Sequence, residues 1–221
     1  MHPTAMTASL FHEDDEPATI ALAPGAVLLR AAALPDETAI LAALQEVLAQ
    51  APPRHMVTPG GLAMSVAMSN CGRLGWVSDR AGYRYQAHDP EAARPWPAMP
   101  ACLGRLANQA AARAGFDGFV PDACLISVYQ PGARLTLHQD KDEREAAAHP
   151  LVSLSLGLPA TFQLGGLARS DKTLKVPLVH GDMLVWGGAS RLRYHGVAPL
   201  PDGEHERLGR RRINLSFRRA G

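Results

Sequence analysis

The sequence predicts a mainly β fold with flanking helices, of the antiparallel sandwich or barrel kind to which the jelly roll belongs. From Asp122 onward the chain consists of short apolar or alternating runs, and Gly or Pro clusters separate most of them. Helical patterns occur only before this point. Many short strands with few helices between them are typical of antiparallel sandwiches and barrels. The predicted strands are Cys124–Tyr129, Leu135–His138, Leu151–Leu158, Thr161–Leu164, Leu174–Val179, Met183–Trp186, Arg193–Val197 and Ile213–Arg218.

The residues before Asp122 predict one strand and two helices. Thr19–Arg30 has the pattern of a short strand, interrupted by a Pro-Gly pair. Apolar residues at helical spacing predict a helix that Asp36 caps and that runs to about Gln50. A second helix is predicted from Pro100 to Ala114, with Gly115 as the residue that ends it.

The length of 221 residues suits a single domain, which we expect to span residues 19–221. Residues 1–18 are polar and acidic and predict a flexible tail. Residues 54–98 are rich in Gly, Pro, Met and aromatic residues without a sustained period, which favours hairpins and loops that form a binding surface. We therefore expect an N-terminal part at residues 19–121 and the β core at residues 122–221.

Charge and cysteine content narrow the class of protein. Residues 1–50 carry a net charge of −6 within a total of +1, so the remainder is basic and attracts polyanions modestly. The three cysteines, Cys71, Cys102 and Cys124, are odd in number and widely spaced, without a Cys-x-x-Cys pair, and support neither a disulfide framework nor a cysteine zinc site. An acidic N-terminus is unlike a signal peptide, and no apolar run is long enough to span a membrane. A cytoplasmic protein is the expectation.

A candidate metal site begins at His138-Gln139-Asp140, where a predicted strand ends. Residues two apart on a strand point to the same side, so His138 and Asp140 can offer a nitrogen and an oxygen to one ion. His195 lies far enough along the chain for later strands to return it to the same place. Two histidines and one carboxylate suit non-haem Fe(II), where three positions stay open. The alternative for His138 is a hydrogen-bonded surface histidine.

The last predicted strand has two chemically different faces. Arg212, Asn214, Ser216 and Arg218 alternate with apolar residues. Buried guanidinium groups need partners, and a dicarboxylic acid such as 2-oxoglutarate supplies carboxylates for them. The alternative is an ordinary solvated strand face.

Several segments together resemble the bacterial AlkB family. In the C-terminal half they are His138–Glu143, Val152–Pro159, Gly181–Asp182, Trp186–Gly188, Ser190–Arg191, Tyr194–Gly196 and Arg212–Arg218. In the N-terminal half they are Met56–Gly61, Met64–Gly72 and Gly75–Trp76, which resemble that family's nucleotide-recognition region. The resemblance runs from about Pro24 to Arg218, nearly the whole chain.

The resemblance implies a double-stranded β-helix, a form of jelly roll, with a nucleotide-recognition lid inside residues 19–121. It also implies Fe(II) as the metal, with 2-oxoglutarate as cosubstrate and O2 as oxidant. The implied iron ligands are His138, Asp140 and His195.

The resemblance further implies how the cosubstrate is held. Arg212 would pair with the distal carboxylate of 2-oxoglutarate, assisted by Asn214 and Tyr129. Arg218 would lie near the carboxylate that chelates iron. One position departs from the family: Ser127 stands where an asparagine is usual, and its shorter side chain puts a contact with the cosubstrate in doubt.

The resemblance also implies a set of substrate residues. Trp76 matches an aromatic residue that stacks on the flipped base, and Asp142 matches an acid beside the damaged base. A base methylated at a ring nitrogen is cationic, and a cation is favoured over an indole face and beside a carboxylate. The further implied substrate residues are Tyr83, Tyr85, Arg169, Met68 and Thr58, and the candidate phosphate contacts are Arg80, Arg84 and Lys141.

Structural alternatives remain open for three of these residues. Trp76 could be a core anchor. Asp142 could be a loop residue that pairs with Lys141 or Arg144. Arg169 could be an ordinary surface charge.

The function implied is oxidative demethylation of N-alkylated bases of the 1-methyladenine and 3-methylcytosine type. The substrate would be DNA, single-stranded first, with duplex DNA and RNA as further candidates, and the products formaldehyde, succinate and CO2. The protein would be a monomer without a membrane partner. One alternative is the same chemistry on a protein or small molecule, and another is a jelly-roll binding module without catalysis.

Overall fold

The fold is that of a computed structural model, which describes residues 18–221. The expected acidic tail lies outside the described residues, apart from Ala18. The two α-helices in the described range are α1 (Glu37–Gln50) and α2 (Ala101–Arg113). The strands are β1 (Thr19–Ala23), β2 (Ala26–Leu29), β3 (Arg54–Val57), β4 (Ala63–Gly72), β5 (Gly75–Asp79), β6 (Gly82–Gln86), β7 (His88–Asp89), β8 (Arg94–Pro95), β9 (Ala123–Tyr129), β10 (Leu135–His138), β11 (Leu151–Gly157), β12 (Ala160–Leu164), β13 (Leu174–Leu178), β14 (Met183–Trp186), β15 (His195–Val197) and β16 (Arg212–Arg218).

Two antiparallel sheets form the body of the protein. The larger has eight strands in the order β1-β2-β14-β11-β16-β9-β4-β3, and the smaller has four in the order β10-β15-β12-β13. The last eight strands of the chain are shared between the two sheets, and the chain crosses repeatedly from one to the other. This connectivity is that of a double-stranded β-helix, so the predicted mainly β jelly roll is confirmed.

Apolar residues fill the layers on both sides of the larger sheet. On its outer face, residues of α1 and α2 such as Ile40 and Leu103 belong to one core cluster with the apolar residues of β16. Between the sheets, Phe162 and Trp186 belong to a second core. Each fully buried side chain of this kind contributes roughly 1.5–3 kcal/mol.

The polar face of β16 is the exception to this apolar filling. Ile213, Leu215 and Phe217 lie in the outer core, as their alternation predicts. Arg212 and Arg218 point the other way and are still only 1% and 5% exposed. The alternative of a solvated strand face is therefore wrong.

The sequence predicted the C-terminal end of α2 correctly, but its prediction for the N-terminal cap of α1 was wrong. After α2, Gly115 adopts φ +85°, and its N–H donates to Ala112 while that of Phe116 donates to Ala111. This is the glycine C-terminus that was predicted. Asp36, in contrast, makes no side-chain cap for α1. It ends a 3-10 turn instead, with φ −102° and ψ 7°, outside the extended conformation of an N-cap residue.

The irregular segment at residues 54–98 contains the expected hairpins, β5–β6 and β7–β8. It also contains β4, a ten-residue strand that pairs with β9 inside the larger sheet. The sequence of β4 does not alternate between apolar and polar residues, because two of its buried residues are polar and form hydrogen bonds with the backbone. Ser69 donates to Ala51, and the amide of Asn70 exchanges hydrogen bonds with the backbone of Trp76.

None of the helices among residues 18–221 has the length and apolar character needed to cross a membrane.

Candidate active site

Strand pairing brings two histidines together. His138 is the last residue of β10 and His195 is the first of β15, and the two are direct partners in the antiparallel register. Directly opposed residues share a face of the sheet. Their ring centroids accordingly lie 4.5 Å apart.

Each imidazole is held so that one nitrogen stays free. Nδ1 of His138 donates to the carbonyl oxygen of Thr136 at 2.8 Å. Nδ1 of His195 donates to that of Arg193 at 3.0 Å. A hydrogen on Nδ1 leaves the lone pair of a neutral imidazole on Nε2. Both Nε2 atoms face the carboxylate of Asp140, at 3.7 Å and 3.6 Å.

Asp140 completes a group that can hold a metal ion. It lies in coil just beyond the end of β10, and its side chain is 14% exposed. One ligand atom from each of His138, Asp140 and His195 lies within 4.8 Å of the others. Two imidazole nitrogens and a carboxylate oxygen are a donor set suited to non-haem Fe(II).

Ionisation favours the metal-binding form of these side chains. Burial, and then the charge of His195, lower the pKa of His138 to about 4. Burial would raise the pKa of Asp140, but the Arg218 guanidinium and then the two histidines hold it well below its usual range. At neutral pH the site therefore offers a neutral imidazole and an ionised carboxylate.

Arg212 presents an unbalanced positive charge to the same cavity. The cavity has a volume of about 680 Å³ and is lined by the two histidines, Asp140 and Arg212. Nη2 of Arg212 donates to Ser155 at 2.9 Å, whereas its buried Nε and Nη1 have no hydrogen-bond partner. Burial lowers its pKa, and among residues 18–221 no carboxylate balances the charge. The guanidinium carbon lies 5.0 Å from the ring centroid of Tyr129.

Two other residues expected to hold the cosubstrate, Asn214 and Ser127, also line the cavity. Nδ2 of Asn214 donates to Ser153 at 2.7 Å and to the backbone of Leu154 at 2.8 Å, while its Oδ1 accepts from Ser216. Its polar groups are thus engaged by β11 and by a neighbour on β16 itself. Ser127 stands opposite Asn214 in the register of β9 and β16 and also lines the cavity.

Arg218 is bonded to the candidate metal ligand itself. Its Nη2 donates to Oδ2 of Asp140 at 2.6 Å. Its Nε lies 3.1 Å from Oε1 of Glu143, at an angle that makes no hydrogen bond. Arg218 was expected near an iron-chelating carboxylate of the cosubstrate, and here it holds a carboxylate of the protein.

The hairpin β5–β6, which we call the lid hairpin (Gly75–Gln86), carries an aromatic pair to the mouth of the cavity. The rings of Trp76 and Tyr83 stack with their centroids 5.6 Å apart and their planes 13° apart. They are diagonal neighbours across the hairpin. Nε1 of Trp76 donates to Oδ2 of Asp142 at 2.9 Å. Asp142 therefore pairs with the indole and not with Lys141 or Arg144.

The remaining expected substrate residues divide into two groups. Thr58, Met68 and Arg169 line the cavity. The guanidinium of Arg169 also lies 5.2 Å from the ring centroid of Tyr194. Tyr85 is not part of the lining, and its hydroxyl donates to Oε1 of Glu143 at 3.2 Å.

The candidate phosphate contacts also differ from one another. Arg80 and Lys141 are exposed. Arg84 is paired with Asp79 through two contacts of 2.7 Å and 3.0 Å. Arg80 and Lys141 are therefore more available to a phosphate than Arg84.

Two buried charged residues beside the metal group were missed from the sequence. Glu143 and Arg191 are 6% and 2% exposed and lie 3.2 Å apart. Both occur inside segments that resemble the AlkB family, and that was the only signal. Nothing in their periodicity separates them from surface charges.

The cavity fits both groups that the sequence implies. One ligand atom from each of His138, Asp140 and His195 converges there, as a divalent cation requires. In the same cavity, the buried guanidinium of Arg212 has unpartnered N–H groups, which a carboxylate satisfies. The cavity volume is within the usual range for small-molecule sites.

Comparison with known proteins agrees with this site. A sequence profile of the 2OG-Fe(II) oxygenase superfamily matches residues 12–218. The chain belongs to this superfamily of iron- and 2-oxoglutarate-dependent enzymes.

Relatives within the superfamily narrow the class. The chain is 54% identical over 207 residues to the alpha-ketoglutarate-dependent dioxygenase AlkB of Salmonella typhimurium, covering 94% of this chain and 95% of that protein. The identity to AlkB of Escherichia coli is 53% over 208 residues, with coverage of 94% and 96%. A solved structure titled "The structure of OsALKBH1" matches with a TM-score of 0.81 at 27% identity, covering 91% of this chain and 100% of that chain. The protein belongs to the AlkB family.

Replacement of one imidazole tests the metal group directly. Each ligand supplies a large part of the affinity for a divalent cation, so His138→Ala is expected to weaken Mn(II) binding at least about 100-fold. The measurement is a titration of free Mn(II) by electron paramagnetic resonance. His88→Ala, at an exposed position on β7, is the matched control and should bind like the parent. Equal affinity of His138→Ala and the parent would contradict the assignment.

Proposed function

We propose that the protein is an Fe(II)- and 2-oxoglutarate-dependent oxidative demethylase that repairs N-alkylated bases in nucleic acid. The observation that carries the proposal is that the His138–Asp140–His195 group shares one cavity with Arg212, whose buried Nε and Nη1 have no hydrogen-bond partner. The aromatic lid and Asp142 at its mouth indicate the class of substrate. Membership of the AlkB family supports both parts.

In this proposal His138, Asp140 and His195 hold Fe(II). A set of two histidines and one carboxylate would leave positions on the metal for a chelating cosubstrate and O2. The Nδ1–H bonds to the carbonyl oxygens of Thr136 and Arg193 fix the tautomer and the orientation of each ring. Because the pKa of His138 is lowered to about 4, no proton has to leave this residue when the metal binds at neutral pH.

Arg212 binds the distal carboxylate of 2-oxoglutarate. The free N–H groups on Nε and Nη1 donate to it, and the pairing removes the cost of an unbalanced buried charge. Tyr129 lies beside the guanidinium and Asn214 braces the neighbouring strands. Ser127 is short, which leaves more space on this wall than an asparagine would.

When bound, Fe(II) with 2-oxoglutarate supplies the O2-dependent hydroxylation of a C–H bond, with succinate and CO2 as coproducts. On an N-methyl group the product is a hemiaminal, N–CH2–OH. Its C–N bond breaks as the hydroxyl loses its proton, and the base and formaldehyde are released. The protein's part is to position the methyl carbon and exclude bulk water.

Trp76, Tyr83 and Asp142 recognise the damaged base. A base methylated at N1 of adenine or N3 of cytosine is cationic, and the indole face and the carboxylate both favour a cation. The bond from Trp76 to Oδ2 of Asp142 fixes the indole and leaves Oδ1 for a polar group of the base. Alkylation also blocks pairing, so flipping costs less for the lesion than for an intact base.

We expect the substrate to be single-stranded DNA that carries such lesions, with duplex DNA and RNA as the next candidates. Thr58, Met68 and Arg169 line the cavity and would contact the nucleotide, and the exposed Arg80 and Lys141 would contact phosphates. Tyr85 is hydrogen-bonded to Glu143 and lies outside the cavity lining, so we assign it no direct contact with the base. We expect a cytoplasmic monomer.

The alternative with the same chemistry on a protein or small molecule is less well supported. It gives no reason for a stacked aromatic pair whose indole is hydrogen-bonded to an acid at the mouth of the cavity. A binding module without catalysis gives no reason for a converging His–Asp–His group.

The proposed function is tested with a short single-stranded oligonucleotide that carries one 1-methyladenine. With Fe(II), ascorbate and 2-oxoglutarate, the oligonucleotide is expected to lose the mass of one methylene unit, and His138→Ala is expected to leave it unchanged. Mass spectrometry over time is the measurement. Succinate formation with an unchanged oligonucleotide would redirect the proposal to another substrate. Absence of both products would contradict it.

Removal of the indole tests base recognition. Because stacking contributes about 1–3 kcal/mol per base, Trp76→Ala is expected to lower kcat/KM on this oligonucleotide by about 5- to 150-fold. Trp76→Phe keeps a ring but loses the N–H donated to Asp142, and should retain more activity. The affinity for 2-oxoglutarate should be unchanged in both variants. Full activity of Trp76→Ala would exclude a stacking role.

A further inference from the structure

Asp140 lies in a segment that no strand ladder holds. Residues 139–150 connect β10 to β11 as coil, with one short 3-10 turn at Ala146–Ala148. The two histidines are fixed by the pairing of β10 with β15, but the carboxylate between them is not. Its position must come from side chains that reach this segment.

The guanidinium of Arg191 reaches it at three points. Nη1 donates to the carbonyl oxygen of Asp140 at 2.6 Å. Nε donates to the carbonyl oxygen of His149 at 2.9 Å. Nη2 lies 3.2 Å from Oε1 of Glu143. One planar fork thus holds the beginning, the middle and the end of the coil segment.

Arg191 itself belongs to the segment that leads into His195. It follows a 3-10 turn at Gly188–Ser190, just before β15. A second hydrogen bond links the same two segments: Nε2 of Gln139 donates to the carbonyl oxygen of Leu192 at 2.6 Å. The approach to one metal-ligating residue is therefore tied to the segment that carries another.

Glu143 joins this fork to the carboxylate of Asp140. Its Oε1 lies between Arg191 and Arg218 and accepts the hydroxyl of Tyr85 from the lid hairpin. Arg218 in turn donates to Oδ2 of Asp140. Asp140 is held at its carbonyl oxygen by Arg191 and at its carboxylate by Arg218, with Glu143 balancing the charge between them.

Stability alone does not explain this arrangement. Buried ion pairs are often no more stabilising than apolar side chains of similar volume. The cluster also leaves Oε2 of Glu143 buried without a hydrogen-bond partner. What these contacts provide, and apolar packing cannot, is a defined direction for the backbone and carboxylate of Asp140.

We propose that Arg191 is a positioning residue that sets the geometry of the metal site by bracing the segment that carries Asp140. It touches neither metal nor substrate and acts through the carbonyl oxygen of Asp140 and through Glu143. The inference rests on the proposed metal site and adds a residue on which the affinity of that site depends.

The test is the affinity for Mn(II) of Arg191→Lys, measured by electron paramagnetic resonance without any cosubstrate. Lysine keeps the charge but cannot reach three acceptors with a planar fork. The dissociation constant is expected to rise about 10- to 100-fold, the usual effect of losing a group that orients a metal ligand. Arg30→Lys is the matched control, because Arg30 also holds a carbonyl oxygen and a buried aspartate, Pro177 and Asp182, away from the cavity. Its affinity for Mn(II) should equal that of the parent.

The outcomes separate this inference from the proposed function. Parental Mn(II) affinity in a folded Arg191→Lys, beside loss of binding in His138→Ala, would overturn the positioning role and leave the metal site standing. Failure of the parent to bind Mn(II) would overturn both. If Arg191→Lys does not fold, Glu143→Gln decides, since it removes the charge at the junction and keeps the volume. Weakened Mn(II) binding by Glu143→Gln at an unchanged melting temperature supports the role, and unchanged binding overturns it.

Discussion

The pairing of β10 with β15 is the constraint on which the rest of the site depends. It places His138 directly opposite His195, and a slip of one residue would turn one of the two rings to the other face of the sheet. Both rings then use Nδ1 to bind a backbone carbonyl two residues earlier in the chain, so that Nε2 faces inward. The jelly roll thus produces the metal-binding arrangement from backbone register, and only Asp140 needs further support from side chains.

The distribution of charge around the cavity suits the binding of a small cation beside a small dicarboxylate. Asp140 is balanced by Arg218, and Glu143 by Arg191, through direct contacts. Arg212 has no carboxylate near it in the described part of the chain. A divalent cation can use the converging donor atoms of His138, Asp140 and His195, and a dicarboxylate can use the guanidinium that lacks a carboxylate partner. At the mouth, Asp142 and the stacked rings of Trp76 and Tyr83 favour a flat cation.

Local sequence patterns predicted most of the fold. They failed where contacts between distant residues determine whether a polar side chain is buried. The bounds of β10 and β14 match the prediction, because turn residues flank short apolar runs. The alternation in β16 predicted both of its faces, and the resemblance to the AlkB family, not spacing, selected His195 as the third member of the metal group. β4 was missed because Ser69 and Asn70 are buried and hydrogen-bonded to the backbone, so that the strand lacks the alternation of apolar and polar residues. The ion pair of Arg191 with Glu143 could not be predicted from the sequence pattern, because the two residues meet only in the folded protein.

The most direct test of the account is a calorimetric titration of 2-oxoglutarate into the Mn(II)-loaded protein and into its Arg212→Lys variant. The account predicts that binding requires Mn(II) and that Arg212→Lys weakens it at least about tenfold, or about 1.4 kcal/mol, because a lysine cannot offer the fork. Arg210→Lys, at an exposed ion pair with Asp202, should bind like the parent. Binding of 2-oxoglutarate that depends on neither Mn(II) nor Arg212 would contradict the claim that one cavity holds both.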